Sequence, residues 1–165
     1  MKRAKWLIVA GFLWLLCAGG RGLLGAERLF DVCDYGAQGD GRTLCTDFIQ
    51  KAINKCANAG GGTVYFPPGK FLSGTIFIKS GVTLKLDTGS TLLGSTELKD
   101  YPVTVSGFRS YTDNYTDKSL IYSEKQERIA IIGNGTIDGQ GASFKGPYKQ
   151  RPYLIRFIED RKSVV

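Results

Sequence analysis

Two stretches of the chain repeat one pattern, in which a short alternating strand is followed by a glycine turn and a second, very short strand. The first stretch runs from Val82-Thr-Leu-Lys-Leu to Gly89-Ser-Thr-Leu-Leu, and the second runs from Ile129-Ala-Ile-Ile to Gly135-Thr-Ile-Asp. Short strands that are broken by glycine in the same place are typical of successive coils of a parallel β-helix. The repeat therefore predicts coils stacked around an apolar core.

The rest of the chain fits the same architecture. Strands are predicted where apolar and polar residues alternate, at residues 30–35, 63–66, 74–78, 82–86, 91–93, 128–132, 136–137 and 153–158. The glycines of residues 36–41 predict a tight loop, and Pro67-Pro68-Gly69 predicts a turn. Residues 95–119 show little periodicity, so we expect them to leave the coils as a long loop.

One segment is predicted to be helical. Thr46 is the expected N-cap, Asp47 lies in the first turn, and the helix ends before Gly60. Its apolar stripe consists of Phe48, Ile49, Ala52, Ile53, Cys56 and Ala57. An antiparallel β-sandwich also uses many short strands but explains a single N-terminal helix less well. A β-helix has an open end that such a helix can cover. We therefore predict an all-β fold, a right-handed parallel β-helix with one short capping helix. The sequence is expected to contain the N-terminal coils only.

The first residues predict export from the cell. Lys2, Arg3 and Lys5 precede an apolar run at residues 6–16, as in a secretory signal peptide, and this run is too short to span a bilayer comfortably. Small residues favour cleavage after Gly20, while a lipid anchor at Cys17 is the alternative. The predicted organisation is a signal peptide at residues 1–20 and part of a single β-helix domain at residues 27–165, in a secreted or periplasmic protein.

The composition excludes several kinds of chemistry. The sequence contains no histidine, which rules out Ser-His-Asp, Cys-His and His-ligated zinc sites. Removal of the signal lowers the formal charge from +7 to +4, and the remaining charges are interspersed, so neither a nucleic acid nor a membrane is expected as a partner.

Three cysteines, Cys33, Cys45 and Cys56, lie outside the predicted signal, and their spacings suggest buried or structural thiols. No metal and no cofactor are expected.

Two aspartates beside glycines are candidate catalytic residues. Asp40 could also be a calcium ligand, and Asp138 follows a predicted strand. Aspartate commonly stabilises such turns by accepting hydrogen bonds from nearby backbone N–H groups. Asp138 also has no second carboxylate at a fixed offset with which to form a pair. We therefore interpret both as turn residues. The tyrosines of the long loop, with Phe108 and Phe144, could stack on sugars, but packing is their expected role.

The segment that begins Phe30-Asp-Val-Cys-Asp-Tyr-Gly and continues to Gly60-Gly-Gly-Thr-Val-Tyr-Phe-Pro-Pro-Gly-Lys-Phe resembles the entrance of pectin-degrading β-helix proteins. Pectate-lyase-like proteins and phage tailspikes share that entrance. Leu120-Ile-Tyr, the following Ile129-Ala-Ile-Ile-Gly-Asn-Gly-Thr-Ile-Asp-Gly-Gln-Gly and Arg151-Pro-Tyr-Leu-Ile-Arg-Phe narrow the resemblance. They are similar to glycoside hydrolase family 28, the polygalacturonases and their relatives.

This resemblance implies a secreted inverting hydrolase of galacturonan or rhamnogalacturonan bonds, with pectic polysaccharide as its partner. The Asn-Thr-Asp, Asp-Asp, Gly-His-Gly and Arg-Ile-Lys motifs of the family do not occur in the sequence, so no residue is assigned a catalytic or substrate-binding role. We expect an N-terminal fragment that is inactive alone. The alternatives are a non-catalytic carbohydrate-binding or assembly module that uses residues 101–122, and a relative of the lyases or tailspikes.

Overall fold

The computed structural model describes residues 28–105, 116–145 and 150–165, and the strands in these ranges form three parallel sheets. Sheet A contains β1 (Leu29–Asp31), β3 (Gly62–Phe66), β6 (Val82–Leu86) and β9 (Ala130–Gly133). Sheet B contains β2 (Asp40–Leu44), β4 (Gly69–Ser73), β7 (Ser90–Gly94) and β10 (Thr136–Asp138). Sheet C contains β5 (Ile76–Phe77), β8 (Ser119–Glu124) and β11 (Tyr153–Ile158).

The chain visits the three sheets in turn, so each circuit forms one coil. In the first coil α1 (Thr46–Asn58) follows β2 in place of a strand of sheet C. The all-β, right-handed parallel β-helix predicted from the sequence is confirmed. Within the described ranges, no helix combines the length and the apolar character needed to cross a membrane.

The core consists of side chains that stack from coil to coil. Because side chains alternate between the two faces of a strand, an in-register parallel sheet places one inward residue directly above the next. Sheet A stacks Phe30, Val64, Leu84 and Ile131; sheet B stacks Phe71, Leu92 and Ile137; sheet C stacks Ile76, Ile121 and Ile155. The middle members of these stacks are fully buried, so the three sheets enclose one continuous apolar core.

Helix α1 covers the N-terminal end of this core. It buries Ile49, Ala52, Ile53 and Cys56. The side chain of Gln50 accepts a hydrogen bond from the Phe77 backbone N (2.8 Å) and donates one to the Phe77 backbone O (3.0 Å). These two bonds satisfy the open edge of β5 as a neighbouring strand would, which agrees with the predicted capping role.

Three local expectations were wrong. Residues 30–35 do not form one strand, because β1 ends at Asp31, whose carboxylate accepts from the backbone N of Cys33 (2.8 Å) and begins a short 3-10 helix. The N-cap of α1 is Cys45, and the hydroxyl of Thr46 instead accepts from the backbone N of Gly74 (2.8 Å). The strand expected at residues 74–78 is restricted to β5, whereas β2, β4 and β8 were not predicted.

Close contact between coils also restricts individual glycines. Gly133 has φ of 112°, and a Cβ atom there would overlap the carbonyl oxygen of Leu86 on the preceding coil. Such a residue must be glycine, because a side chain would be strained by the backbone conformation and would clash with the neighbouring coil.

Candidate functional site

The two aspartates named from the sequence lie at strand ends in sheet B, where Asp40 is the first residue of β2 and Asp138 is the last residue of β10. Asp40 Oδ1 accepts from the backbone N of Arg42 (2.8 Å) and of Thr43 (2.9 Å), while Oδ2 accepts from the Thr43 hydroxyl (2.7 Å). These bonds lower the pKa of Asp40 to about 2, so its carboxylate is a poor proton donor near neutral pH. Asp138 Oδ1 accepts from the backbone N of Gln140 (2.8 Å). Each carboxylate thus accepts hydrogen bonds from backbone N–H groups two or three residues further along the chain, which is the stabilising contact predicted from the sequence.

The sheet register also keeps these two carboxylates apart. Asp40 pairs with Lys70 on β4, Lys70 pairs with Thr91 on β7, and Thr91 pairs with Thr136 on β10. Asp40 and Asp138 therefore lie on strands three spacings apart, which at about 4.8 Å per spacing is about 14 Å. Inverting glycosidases place their two carboxyl groups about 6.5–9.5 Å apart. Asp40 and Asp138 therefore do not form such a pair.

The described part of the long loop is used for packing. Tyr101 is 1% exposed and donates its hydroxyl to the backbone O of Ser95 (2.6 Å). Its ring meets that of Phe144 edge to face, with 6.5 Å between centroids. Packing is thus confirmed for these two aromatic residues. Tyr111, Tyr115 and Phe108 lie outside the described residues, as do the predicted signal segment and Cys17.

The three described cysteines are free thiols. Cys45 is the buried N-cap of α1 and Cys56 lies on the buried face of that helix, whereas Cys33 is exposed, so burial was wrongly expected there. Burial raises the pKa of Cys45 and Cys56. Protonated, buried thiols are poor nucleophiles and metal ligands, so these two cysteines fit the predicted structural role.

The aromatic and charged groups with the most distinctive arrangement lie on the outer side of sheet C. Phe77, Tyr122 and Arg156 face one another across β5, β8 and β11, and we call them the sheet C row. The rings of Phe77 and Tyr122 meet edge to face at 5.8 Å between centroids. The guanidinium carbon of Arg156 lies 5.9 Å from the centroid of the Tyr153 ring. The row therefore combines two aromatic rings with one cation.

Tyr122 is held in its neutral form. Its hydroxyl donates to Glu124 Oε2 (2.8 Å), and only 6% of the residue is exposed. Burial and the Glu124 carboxylate raise the pKa of Tyr122 to about 12, although the nearby Arg156 acts in the opposite direction. At neutral pH Tyr122 is thus a hydrogen-bond donor that is already engaged by Glu124.

The sequence interpretation missed the sheet C row. Residues 153–158 were predicted as a strand, and an arginine in that apolar segment was the available signal, because alternation puts it on the face opposite Ile155 and Phe157. The partners of Arg156 come from β8 and from the end of the long loop. Their proximity depends on stacking of the coils and was not visible in the local sequence.

Comparison with known proteins shows what this chain resembles. A family model described as rhamnogalacturonase A/epimerase, pectate lyase-like matches residues 29–150. The exo-poly-alpha-D-galacturonosidase of Dickeya chrysanthemi is 38% identical over 122 residues, which cover 69% of this chain and 20% of that protein. The plasmin and fibronectin-binding protein A of Streptococcus pneumoniae is 39% identical over 118 residues, or 70% of this chain and 16% of that protein.

The solved structure of the family 28 exopolygalacturonase from Yersinia enterocolitica is similar in fold, with a TM-score of 0.59 and 35% sequence identity. The match covers 70% of this chain and 21% of that structure. The chain therefore spans about a fifth of the length of the proteins that it matches here.

Proposed function

Because the chain belongs to the rhamnogalacturonase A/epimerase, pectate lyase-like family, we propose that residues 27–165 are the N-terminal part of a hydrolase that cleaves galacturonan-type bonds in pectic polysaccharides. The resemblance to glycoside hydrolase family 28 seen in the sequence is confirmed by the 35% identity with the family 28 exopolygalacturonase. The observation that carries the proposal is the 38% identity with an exo-poly-alpha-D-galacturonosidase, over 122 residues that cover 69% of this chain.

In this proposal the chain supplies coils and a sugar-facing surface, and hydrolysis requires groups that it does not carry. Glycoside hydrolysis by inversion needs an acid and a base placed on opposite sides of the bond. Asp40 and Asp138 are too far apart to serve, and the sequence has no histidine and none of the four family motifs. We therefore expect the 165-residue chain to be inactive alone.

The direct test is an assay of reducing-sugar release from polygalacturonate and from rhamnogalacturonan by the purified chain. We expect no release above a blank without protein, while an active polygalacturonase serves as the positive control. Turnover that scales with the amount of chain would contradict the proposed inactivity. Products that absorb in the ultraviolet would instead indicate elimination and a lyase.

We also propose that the protein is secreted or periplasmic, supported by the basic start and the apolar run at residues 6–16. The test is N-terminal sequencing of the exported protein after expression in a bacterial host. A mature chain that begins at Arg21 is expected. A lipid-modified chain that begins at Cys17 would establish the anchor instead, and retention of Met1 inside the cell would contradict export.

A non-catalytic binding module is the second candidate, and the similarity to the plasmin and fibronectin-binding protein A favours it. A chimera separates the two candidates, in which residues 29–150 replace the matching coils of the Yersinia exopolygalacturonase. The hydrolase proposal predicts a folded chimera that releases galacturonate. A folded chimera without turnover would favour the binding module.

A further inference from the structure

The side chain of Arg156 is mostly buried, and one of its nitrogen atoms has no hydrogen-bond partner in the described part of the chain. Its side chain is 9% exposed, and its Nη1 atom is buried without a hydrogen-bond partner among the described residues. Within the part of the chain that the structure describes, Nη1 forms an ion pair with Asp117 Oδ1 at 4.0 Å, a distance too long for a hydrogen bond. A buried guanidinium nitrogen that has no hydrogen-bond partner is costly, so its presence on the face of the sheet requires an explanation.

The surroundings of Arg156 resemble the lining of a ligand site more than that of a structural ion pair. It continues the sheet C row after Phe77 and Tyr122, and it lies beside the ring of Tyr153. Ligand sites combine aromatic surfaces with a few fixed polar groups that determine orientation. Phe77 is 37% exposed at one end of the row, and the side chain of Asp117 beside Arg156 is 46% exposed, so solvent reaches both ends. The carboxylate of Glu124 is already engaged by Tyr122.

The chemistry of the guanidinium selects the ligand. Its planar array of N–H donors matches a carboxylate, which it can bind through two parallel hydrogen bonds. Asp117 brings a carboxylate towards this position without completing a hydrogen bond, and its side chain is 46% exposed, so it can turn away into solvent. An incoming carboxylate can therefore replace Asp117 without leaving a buried charge unpaired.

We propose that Arg156 binds the carboxylate of a uronate residue in the polysaccharide, and that Asp117 occupies this position when no sugar is bound. This inference rests on the proposed function, because it assumes that pectic chains reach the outer side of sheet C. It makes Arg156 a specificity-determining residue, which distinguishes acidic galacturonan from a neutral chain of the same shape. Galactose has no carboxylate at this position and leaves the Arg156–Asp117 pair undisturbed.

The test is calorimetric titration of the full chain with trigalacturonate and, separately, with the neutral trimer of α-1,4-linked galactose. We expect wild-type protein to prefer the acidic trimer. Arg156→Gln is expected to weaken trigalacturonate binding by about tenfold or more, which is the range for a lost charge-assisted hydrogen bond, and to leave binding of the neutral trimer unchanged. Arg161→Gln, which removes an exposed arginine from the next turn, is the matched control and should bind like wild type.

Asp117→Asn gives an independent readout that does not depend on the folding of the Arg156 variant. It removes the competing carboxylate, so we expect it to bind trigalacturonate more tightly than wild type does, with unchanged affinity for the neutral trimer. A purely structural ion pair predicts loss of stability and no gain in affinity. Circular dichroism confirms that each variant is folded at the temperature of the titration.

The outcomes separate this inference from the proposed function. Suppose that wild type prefers trigalacturonate, that Arg156→Gln binds it as tightly as wild type does, and that Asp117→Asn binds it no more tightly. This result overturns the role of Arg156 but does not contradict a pectic substrate. Equal affinity of wild type for the acidic and neutral trimers, or no binding of either, overturns both the inference and the proposed pectic ligand.

Discussion

Replacement of Ile121 by alanine is expected to be strongly destabilising because this residue is the centre of a core stack. Ile121 is 0% exposed and lies between Ile76 and Ile155 in sheet C. The substitution removes about three methylene equivalents, worth about 0.8 kcal/mol each on transfer to water. The cavity left behind adds to this cost, so we expect a loss of about 2–5 kcal/mol in the free energy of unfolding.

The matched control is Ile132→Ala, the same chemical change at a residue of sheet A that is 42% exposed. We expect a loss below about 1 kcal/mol there, since an exposed residue leaves no cavity. Both values come from urea unfolding followed by circular dichroism, with an unchanged slope as the check that only stability has changed. Equal losses in the two variants would refute the stacked-coil core, because the sequence pattern alone does not rank these two isoleucines.

Two further outcomes follow from the geometry. Gly133→Ala should lower the free energy of unfolding by about 2 kcal/mol or more in urea unfolding, because the left-handed conformation strains alanine and its Cβ meets the carbonyl oxygen of Leu86. Gly141→Ala is the control, since nothing lies within 4 Å of a Cβ atom there. Equal losses in the two variants would contradict the close approach of the coils. Burial and Glu124 raise the pKa of Tyr122 from 10.0 to about 12, so its contribution to stability is present below pH 10 and is lost as the pH rises through about 12. Unfolding measured across this range should show a smaller loss in Tyr122→Phe than in wild type, and identical pH dependence would show that Tyr122 is not held neutral.

The repeated coils were predictable because their pattern is local. The segments that begin at Val82 and Ile129 share one pattern in the sequence, and in the structure their strands are neighbours, with Leu84 paired to Ile131. A parallel β-helix places such repeats one above another, so similarity along the chain becomes contact in space. The capping helix was predictable for a similar reason, since its apolar stripe corresponds to the buried face of α1.

The missed elements depend on contacts that no single segment contains. Strand β4 follows the turn at Pro67-Pro68 so closely that its residues read as part of the turn, yet it pairs along its whole length with β7. Strand β2 lies at the edge of sheet B and alternates between intermediate and exposed residues, so it lacks an apolar signature. Asp31 ends β1 because its side chain caps the next turn, a local bond that competes with strand pairing.

The candidate site was less predictable than the fold. The backbone contacts of Asp40 and Asp138 follow from their glycine neighbours, and the structure contains them. The sequence does not distinguish Arg156 from other arginines, because its contacts arise only when stacking places it beside Tyr122 and 4.0 Å from Asp117. Burial of a charge is a property of the assembled coils, and alternation in one strand shows only which face the charge occupies.

The most direct test of the central claim is a single experiment in which trigalacturonate is titrated into the purified chain while binding and new reducing ends are measured in the same sample. We predict saturable binding without any increase in reducing ends above the protein-free blank. Reducing ends that accumulate in proportion to the amount of chain would contradict the claim that these coils bind pectic sugars but lack the groups that hydrolyse them.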